Sequence, residues 1–206
     1  MMGHETTGEV WEAGSAVKNH RKGDLVVMPF TVSCGECFYC ERGYSSRCVK
    51  SLLFGCPLLD GGQAEFLRVP LADATAVKAP EGIDERKLVL MADIFPTGYF
   101  AASNAFRGME EKTIRQSVVV LIGCGPVGLC ALINTLEYKP KAVIAIDRVE
   151  SRLALAKKLG AEPWNDETDK DGEMFMRRLD LAILIISRTG AESKGAYGGK
   201  RRRYSY

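Results

Sequence analysis

Four cysteines lie close together near the start of the chain, and their spacing is typical of a metal site. They fall within SCGECFYCERGYSSRC, residues 33–48, as Cys34, Cys37, Cys40 and Cys48. Four thiolates fill every position of a tetrahedral zinc ion, so such a site does no chemistry and holds a loop together. The alternative is a set of buried or redox cysteines, which two C-x-x-C steps in one loop make the weaker reading. The pattern therefore predicts a structural zinc.

A second motif predicts a dinucleotide site. Residues 123–128, GCGPVG, follow the apolar run SVVVLIG and precede the expected helix PVGLCALINTLEY, which is the context that gives a G-x-G-x-x-G pattern its meaning. Gly123 would permit the tight turn, Gly125 the approach of the pyrophosphate and Gly128 the packing of helix on strand. The helix N-terminus would then face the phosphates. The predicted phosphate-binding residues are Gly123, Gly125, Pro126, Val127 and Gly128.

An acidic residue stands where the choice of cofactor is usually made. Asp147 ends the next apolar run, KAVIAID, 19 residues after Gly128. A carboxylate there would accept hydrogen bonds from both ribose hydroxyls and repel a 2′-phosphate, which favours NAD over NADP. Arg148 weakens that preference, and Arg148 and Arg152 complete the predicted cofactor-binding set. The alternative is a glycine-rich turn in some other α/β domain.

The elements that must position these residues fall into two classes. Residues 1–112 begin with short alternating runs punctuated by Gly and Pro, which predict antiparallel strands such as GEVWEAG, GDLVVMPF, GGQAEFLRVP and TAVKAP, with the cysteine loop 34–48 inserted among them. Residues 113–187 have a βαβα order typical of a doubly wound parallel sheet, with a candidate third strand at 180–187. The tail, residues 188–206, has a composition that predicts disorder.

The overall composition excludes several classes of function. The 206 residues carry a net charge of +2, and 46% are hydrophobic, which is the balance of a globular protein without a nucleic-acid or membrane partner. No apolar run is long enough for a membrane span, and MMGHETTGEV lacks the features of a secretory signal. We therefore expect a cytoplasmic protein whose seven cysteines stay reduced.

Together these parts resemble the zinc-dependent alcohol dehydrogenases of the medium-chain dehydrogenase/reductase family. GHETTGEVWEAGSAV, KGDLVV, the four-cysteine loop, DIFPTGY and VVVLIGCGPVG follow one another in the family's order, and the resemblance covers residues 3–166. It implies an α/β chain with a partial GroES-like catalytic domain, residues 1–112, and a partial Rossmann-type NAD-binding domain, residues 113–187. Asp93 replaces the family's usual cysteine ligand, as in the similar glutathione-independent formaldehyde dehydrogenases.

The resemblance also implies a catalytic site that spacing alone does not reveal. His4 and Asp93 would bind a catalytic zinc, Glu5 would lie beside it and Thr97 near the nicotinamide. The implied reaction is hydride transfer from a small alcohol or aldehyde hydrate to NAD, with zinc as the Lewis acid. A homo-oligomer is a further expectation from the family. The other histidine, His20, is expected to be a solvated loop residue.

The chain departs from the family pattern at both ends. The family's first catalytic zinc ligand, a cysteine, lies upstream of GHE, whereas this chain begins two residues before Gly3, and the resemblance ends after GAEPWN. We therefore expect a fragment with two of three catalytic ligands and little or no activity alone. The alternatives are a polyol or amino-alcohol dehydrogenase of the same family, an inactive zinc- and NAD-binding homologue, and a zinc module that binds nucleic acid through residues 200–203.

Overall fold

The computed structural model describes residues 1–168 and the backbone of a strand at Ala182–Ile186. The tail at 188–206, for which we predict disorder, and the basic patch at 200–203 lie outside these residues. The described strands are β1 (Thr6–Glu9), β2 (Leu25–Met28), β3 (Val77–Lys78), β4 (Val118–Ile122), β5 (Ala142–Asp147), β6 (Glu162–Asn165) and β7 (Ala182–Ile186). The described α-helices are α1 (Ala72–Thr75), α2 (Glu85–Leu88), α3 (Ile94–Phe106), α4 (Glu111–Gln116), α5 (Pro126–Glu137) and α6 (Glu150–Leu159).

The first part of the chain forms a small antiparallel sheet in the order β1-β2-β3. Val26 and Met28 of β2 pack with Val32, Phe54 and Leu59 in one hydrophobic cluster. Three of the four expected antiparallel strands are therefore present, but they are shorter than the runs that predict them. Within residues 1–168, no helix is long and apolar enough to cross a membrane.

One of the expected strands is wrong. The run GGQAEFLRVP, residues 61–70, forms no strand, and Phe66 is 63% exposed. The amides of Gly61 and Gly62 instead donate to the carbonyls of Met1 and Gly3. A Cβ at Gly61 would lie 2.2 Å from the Gly3 carbonyl oxygen, so the paired glycines allow the first residues of the chain to lie directly on this loop.

The second part forms a parallel sheet in the order β6-β5-β4-β7. β4 is central, and Val119 and Leu121 are fully buried, as a continuous apolar run predicts. The expected third strand at 180–187 is β7, and it pairs with β4. The chain thus runs outward from β4 to β5 and β6 and then returns to the other side of β4. In such sheets, ligands bind outside the carboxyl ends of the strands at the reversal point.

The edge strand β6 was not predicted, because its sequence EPWN has no apolar run. It pairs in parallel with β5, and Asp147 lies opposite Asn165 in the register. Proline is tolerated at a sheet edge, where one side of the strand needs no donor.

Helices α3 and α5 join the two parts of the chain by packing closely against each other. Gly98 of α3 is buried at the contact, where a Cβ would lie 2.5 Å from the Ala131 nitrogen and 2.6 Å from the Cys130 carbonyl carbon. Cys124 and Cys130 are both buried, so they act as small packing residues of the core.

Candidate metal and cofactor sites

The four clustered cysteines converge on a volume of the size of one metal ion. The Sγ atoms of Cys34, Cys37, Cys40 and Cys48 all lie within 4.8 Å of one another. A tetrahedral zinc with bonds of about 2.3 Å holds its sulfur ligands about 3.8 Å apart. The cluster therefore fits one zinc ion with four thiolate ligands and no open position.

Turns and backbone amides form the geometry of this loop. Gly35 and Gly43 have positive φ angles of 75° and 79°, which let the chain turn back twice within the loop. The amides of Cys34 and Lys50 each donate to the Cys48 Sγ at 3.3 Å. Because an N–H aimed at sulfur favours the anion, the backbone is arranged for thiolates before any metal binds.

The thiols of the cluster differ in acidity. Amide N–H groups of Cys40 and Val49 lower the pKa of Cys37 to about 6. Burial raises the pKa of Cys40 to about 11. Burial also opposes ionisation of Cys48, but the amides of Lys50 and Cys34 outweigh it and lower the pKa of that thiol. Metal binding would thus begin from a site whose backbone favours the thiolate forms of Cys37 and Cys48.

The loop is joined to the β-rich part by buried hydrogen bonds at its first residue. The hydroxyl of Thr75, which is fully buried, donates to the Ser33 carbonyl at 3.2 Å and accepts from the Ser33 amide at 3.1 Å. The Ser33 hydroxyl donates to the Ala74 carbonyl at 2.7 Å. Helix α1 therefore fixes one end of the cysteine loop.

A second pair of metal-ligating side chains meets across a long stretch of sequence. The Nε2 atom of His4 lies 3.2 Å from Oδ2 of Asp93, although the residues are 89 positions apart. The Thr97 hydroxyl donates to the other oxygen, Oδ1, at 3.0 Å. His4 is about half exposed, and its ring lies edge-on to Phe30. His4, Asp93 and Thr97 therefore lie together, at the N-terminal end of α3.

This pair has the spacing of two ligands on one ion. Nitrogen and oxygen ligands at about 2.0–2.1 Å from a tetrahedral zinc lie about 3.3 Å apart. Among residues 1–168, the only grouping of three or more metal-ligating side chains is the cysteine cluster, so no third protein ligand joins His4 and Asp93 there. The pair fits two of the three protein ligands that a catalytic zinc site needs.

Glu5 is exposed, and its charge acts on helix α5. Burial raises the pKa of Cys130, and the negative charge of Glu5 raises it further. Glu5 thus lies toward the contact between the two parts of the chain, on the same segment as His4.

The glycine motif lies at the carboxyl end of β4, where the sequence predicts it. Gly123 has a φ of 94°, which only glycine adopts readily, and its amide donates to the Ile146 carbonyl at 2.8 Å. Gly125 precedes α5 in an ordinary extended conformation that any residue can adopt. Glycine matters at this position because it has no side chain to block the approach of a pyrophosphate. Pro126 and Val127 begin the helix, and Gly128 is buried.

The start of α5 fits a phosphate. No side chain caps this helix end. The first-turn N–H groups of a helix have no partner within the helix, and they carry the positive end of its dipole. This is the arrangement that binds anions in nucleotide-binding folds.

Asp147 is held by the backbone. Its Oδ2 accepts from the Cys124 amide at 2.7 Å, and its Oδ1 accepts from the amides of Arg148 and Val149 at 2.8 and 2.9 Å. Burial favours the protonated form, but these three amides outweigh it and lower the pKa of Asp147 below its ordinary value. Since a carboxylate has about four acceptor positions, about one remains free, on Oδ2.

Sequence reasoning missed the surroundings of Arg148. Its guanidinium pairs with Asp166, and Glu167 lies nearby, just beyond β6. The acidic pair Asp166 and Glu167, which follows EPWN, could have indicated these partners. It does so only if EPWN is first recognised as a strand beside β5.

The expectation for His20 is wrong in part. This histidine is half-buried, and its Nδ1 is buried without a hydrogen-bond partner among the described residues. Its neighbours Lys18 and Asn19 donate their amides to Asp73, which draws this turn onto α1.

Comparisons with known proteins agree with this geometry. Residues 1–81 match the alcohol dehydrogenase GroES-like domain. The zinc-type alcohol dehydrogenase B of Aspergillus flavus is 66% identical over 172 residues, which are 84% of this chain and 40% of that protein. A glutathione-independent formaldehyde dehydrogenase of Pseudomonas aeruginosa is 38% identical over 175 residues, which are 79% of this chain and 42% of that protein.

A solved structure extends the similarity to the fold. The alcohol dehydrogenase TADH from a Thermus species superimposes with a TM-score of 0.74 at 27% identity, and the match covers 96% of this chain and 64% of that one. The chain spans about half the length of the relatives it matches. The matched domain, the cysteine cluster and the parallel sheet all point to the same family. The chain belongs to the zinc-type alcohol dehydrogenases of the medium-chain dehydrogenase/reductase family.

Proposed function

We propose that this chain supplies the zinc- and NAD-binding residues for oxidation of a small alcohol or aldehyde hydrate by hydride transfer. The observation that carries the proposal is the meeting of His4 and Asp93 at the start of α3. Because α3 packs directly on α5, the paired ligands at the start of α3 lie on a helix that contacts the proposed phosphate-binding helix. That is the arrangement needed to bring a nicotinamide ring and a substrate together.

In the catalytic site, His4 and Asp93 would hold the ion through Nε2 and Oδ2. Zinc bound there would act as a Lewis acid on the substrate oxygen. Thr97 keeps the Asp93 carboxylate in one orientation by donating to Oδ1, which leaves Oδ2 facing His4. With two protein ligands among the described residues, we expect weak zinc affinity and little turnover from this chain alone.

In the cofactor site, the first turn of α5 would bind the pyrophosphate, with Gly125 and Pro126 closest to it. Asp147 would accept one ribose hydroxyl at the free position of Oδ2 and exclude a 2′-phosphate by charge. Arg152, whose Nη1 lies 3.9 Å from that oxygen, balances part of the charge. NAD is therefore the proposed cofactor.

The cysteine cluster would hold a structural zinc in the loop at 34–48. Its four sulfurs leave no position for substrate, and the amides around Cys48 stabilise thiolates. This zinc would contribute to folding and take no part in the reaction.

The proposal is tested on the purified chain by zinc analysis, NADH fluorescence titration and an alcohol oxidation assay. We expect one tightly held zinc, saturable NADH binding, and a second zinc that appears only at higher concentration. His4→Ala should abolish the weak second site and any turnover. The chain has only two histidines, so His20→Gln is the matched control.

Two results would count against the proposal. One is the absence of saturable NADH binding by a folded chain. The other is a weak zinc site or turnover that survives His4→Ala and disappears in His20→Gln.

A further inference from the structure

Arg148 is a cation next to the proposed ribose-binding residue. It directly follows Asp147, the residue proposed to contact the ribose, and an arginine there often accommodates NADP. In this chain the guanidinium has another partner. Its Nε lies 3.3 and 3.2 Å from the two carboxylate oxygens of Asp166, and its Nη2 lies 3.3 Å from Oδ2. Glu167 Oε1 is 3.9 Å from the same Nε.

The register of the parallel sheet brings Arg148 and Asp166 together. Asp147 lies opposite Asn165 in the parallel pair of β5 and β6. The next residues, Arg148 and Asp166, therefore leave neighbouring strands at the same carboxyl edge, where strands are about 4.8 Å apart. The contact thus depends on backbone pairing as well as on side-chain conformation.

We propose that Asp166 and Glu167 are specificity-determining residues that withhold Arg148 from a 2′-phosphate. The inference rests on the proposed cofactor site and adds a second layer to it. Asp147 disfavours NADP by its own charge, and the acidic pair removes the cation that would compensate.

The charge balance at this edge supports the inference. This edge carries two guanidinium groups, those of Arg148 and Arg152, and four carboxylates, those of Asp147, Glu150, Asp166 and Glu167. Glu150 accepts from the Asn165 side chain, so it belongs to the same edge. A 2′-phosphate would add nearly two further negative charges to an edge that already has an excess of acid. Neutralising Asp166 and Glu167 would leave two carboxylates against two guanidinium groups.

The expected effect is moderate because the pair is exposed to solvent. Arg148 is 66% exposed and Asp166 is 36% exposed. Ion pairs of this exposure are weak and screened by salt, so we expect a change of about 3- to 10-fold in NADP affinity at low ionic strength.

The experiment compares NAD⁺ and NADP⁺ binding by calorimetry at low salt, in the unchanged chain and in Asp166→Asn/Glu167→Gln. We expect the double variant to bind NADP⁺ about 3- to 10-fold more tightly and NAD⁺ within about twofold of the unchanged chain. Adding Arg148→Gln should remove the gain. Glu12→Gln/Glu65→Gln removes the same two charges from exposed positions in the β-rich part and should change neither affinity.

The outcomes separate the two ideas. If the unchanged chain binds neither dinucleotide, the proposed cofactor site fails and this inference fails with it. If NAD⁺ binds but the double variant gains nothing for NADP⁺, the inference alone is overturned. A gain that persists in the triple variant would also overturn it, because the gain would then come from lost repulsion and not from the release of Arg148.

Discussion

At the scale of single residues, Asp147 joins the turn after β4 to the end of β5. Its side chain is 10% exposed and accepts three backbone hydrogen bonds, one from the turn after β4 and two from the residues that follow β5. One carboxylate thus shapes the glycine turn that would bind the pyrophosphate and also forms part of the ribose site. Loss of this carboxylate should affect folding and cofactor binding together.

We predict that Asp147→Asn lowers the free energy of unfolding by about 1–3 kcal/mol near neutral pH. The asparagine side chain has only one acceptor oxygen, so it cannot accept hydrogen bonds from all three backbone N–H groups. The folded pKa of Asp147 lies below its ordinary value of 3.8. The stabilisation is therefore complete above the unfolded pKa, and it is lost as the pH falls through the lowered folded pKa. Urea unfolding of both chains from pH 7 to pH 3 should show the difference shrinking only below about pH 4. A difference that stays constant down to pH 3 would contradict this account.

Thr97 carries a second prediction at this scale. Thr97→Val keeps the shape of the side chain but removes the hydroxyl that donates to Asp93 Oδ1. Removing such a partner of a metal ligand typically weakens metal affinity by about 10- to 100-fold. Cobalt titration, followed by absorbance of the second site, should show this loss for Thr97→Val and recovery in Thr97→Ser. Equal affinities in all three chains would argue that Asp93 is oriented by His4 alone.

At the scale of elements, the contact between α3 and α5 depends on a glycine. Gly98→Ala should destabilise the chain by about 1–3 kcal/mol, since the added Cβ would meet backbone atoms of Cys130 and Ala131, which cannot rotate away. Gly14→Ala is the control, because nothing lies within 4 Å of a Cβ there. Thermal unfolding of both variants measures the difference. Equal midpoints would show that α3 can move away from α5 to fit the methyl group without loss of stability.

The elements also show how far sequence reasoning extends. β4 and β5 are continuous apolar runs buried on both faces, so their identity and their order with α5 and α6 were predictable. β6 was not, because EPWN is placed by pairing with β5 and not by its own pattern. GGQAEFLRVP fails for the opposite reason: it alternates like a strand, but the amides of its first three residues donate to the first residues of the chain.

The two candidate metal sites differ in the same way. The cysteine cluster is local, so spacing within residues 33–48 was enough to predict it. His4 and Asp93 are brought together by the fold across 89 positions, and only the resemblance to a family pointed to them. The partners of Arg148 were beyond reach, since they depend on a strand that was itself not predicted.

At the scale of the whole molecule, the described residues contain separate hydrophobic clusters. The largest includes Val119, Leu121 and Leu132 of the parallel sheet and its helices. A second surrounds Val26 and Phe54 in the β-rich part. Of the described residues, none between 34 and 47 belongs to any of these clusters. The cysteine loop therefore depends on its own turns, on the Glu36–Lys50 ion pair, on the Ser33–Thr75 hydrogen bonds and on the zinc that we propose for its cysteines.

This arrangement predicts local and not global loss of structure when zinc is removed. Structural zinc contributes roughly 10 kcal/mol or more of binding free energy in small zinc peptides, so the loop should open once its thiolates lose the ion. Hydrogen exchange after chelation should speed up at amides of the loop such as Gly43 and Arg47, which donate within its turns. Amides of β4 and α5 should keep their protection, because their cluster shares no residue with the loop.

Two cysteine variants test whether the faster exchange comes from the cysteine cluster. They are needed because a chelator would also remove any zinc at His4 and Asp93. Cys37→Ser should reproduce the faster exchange of the loop without chelator, because it removes one of the four sulfur ligands. Cys56→Ser changes a half-buried cysteine outside the cluster and should leave the loop protected. If Cys37→Ser instead exposed β4 and α5 to exchange, the loop and the sheet would form one cooperative unit. The structural zinc would then stabilise the dinucleotide fold as well as its own loop.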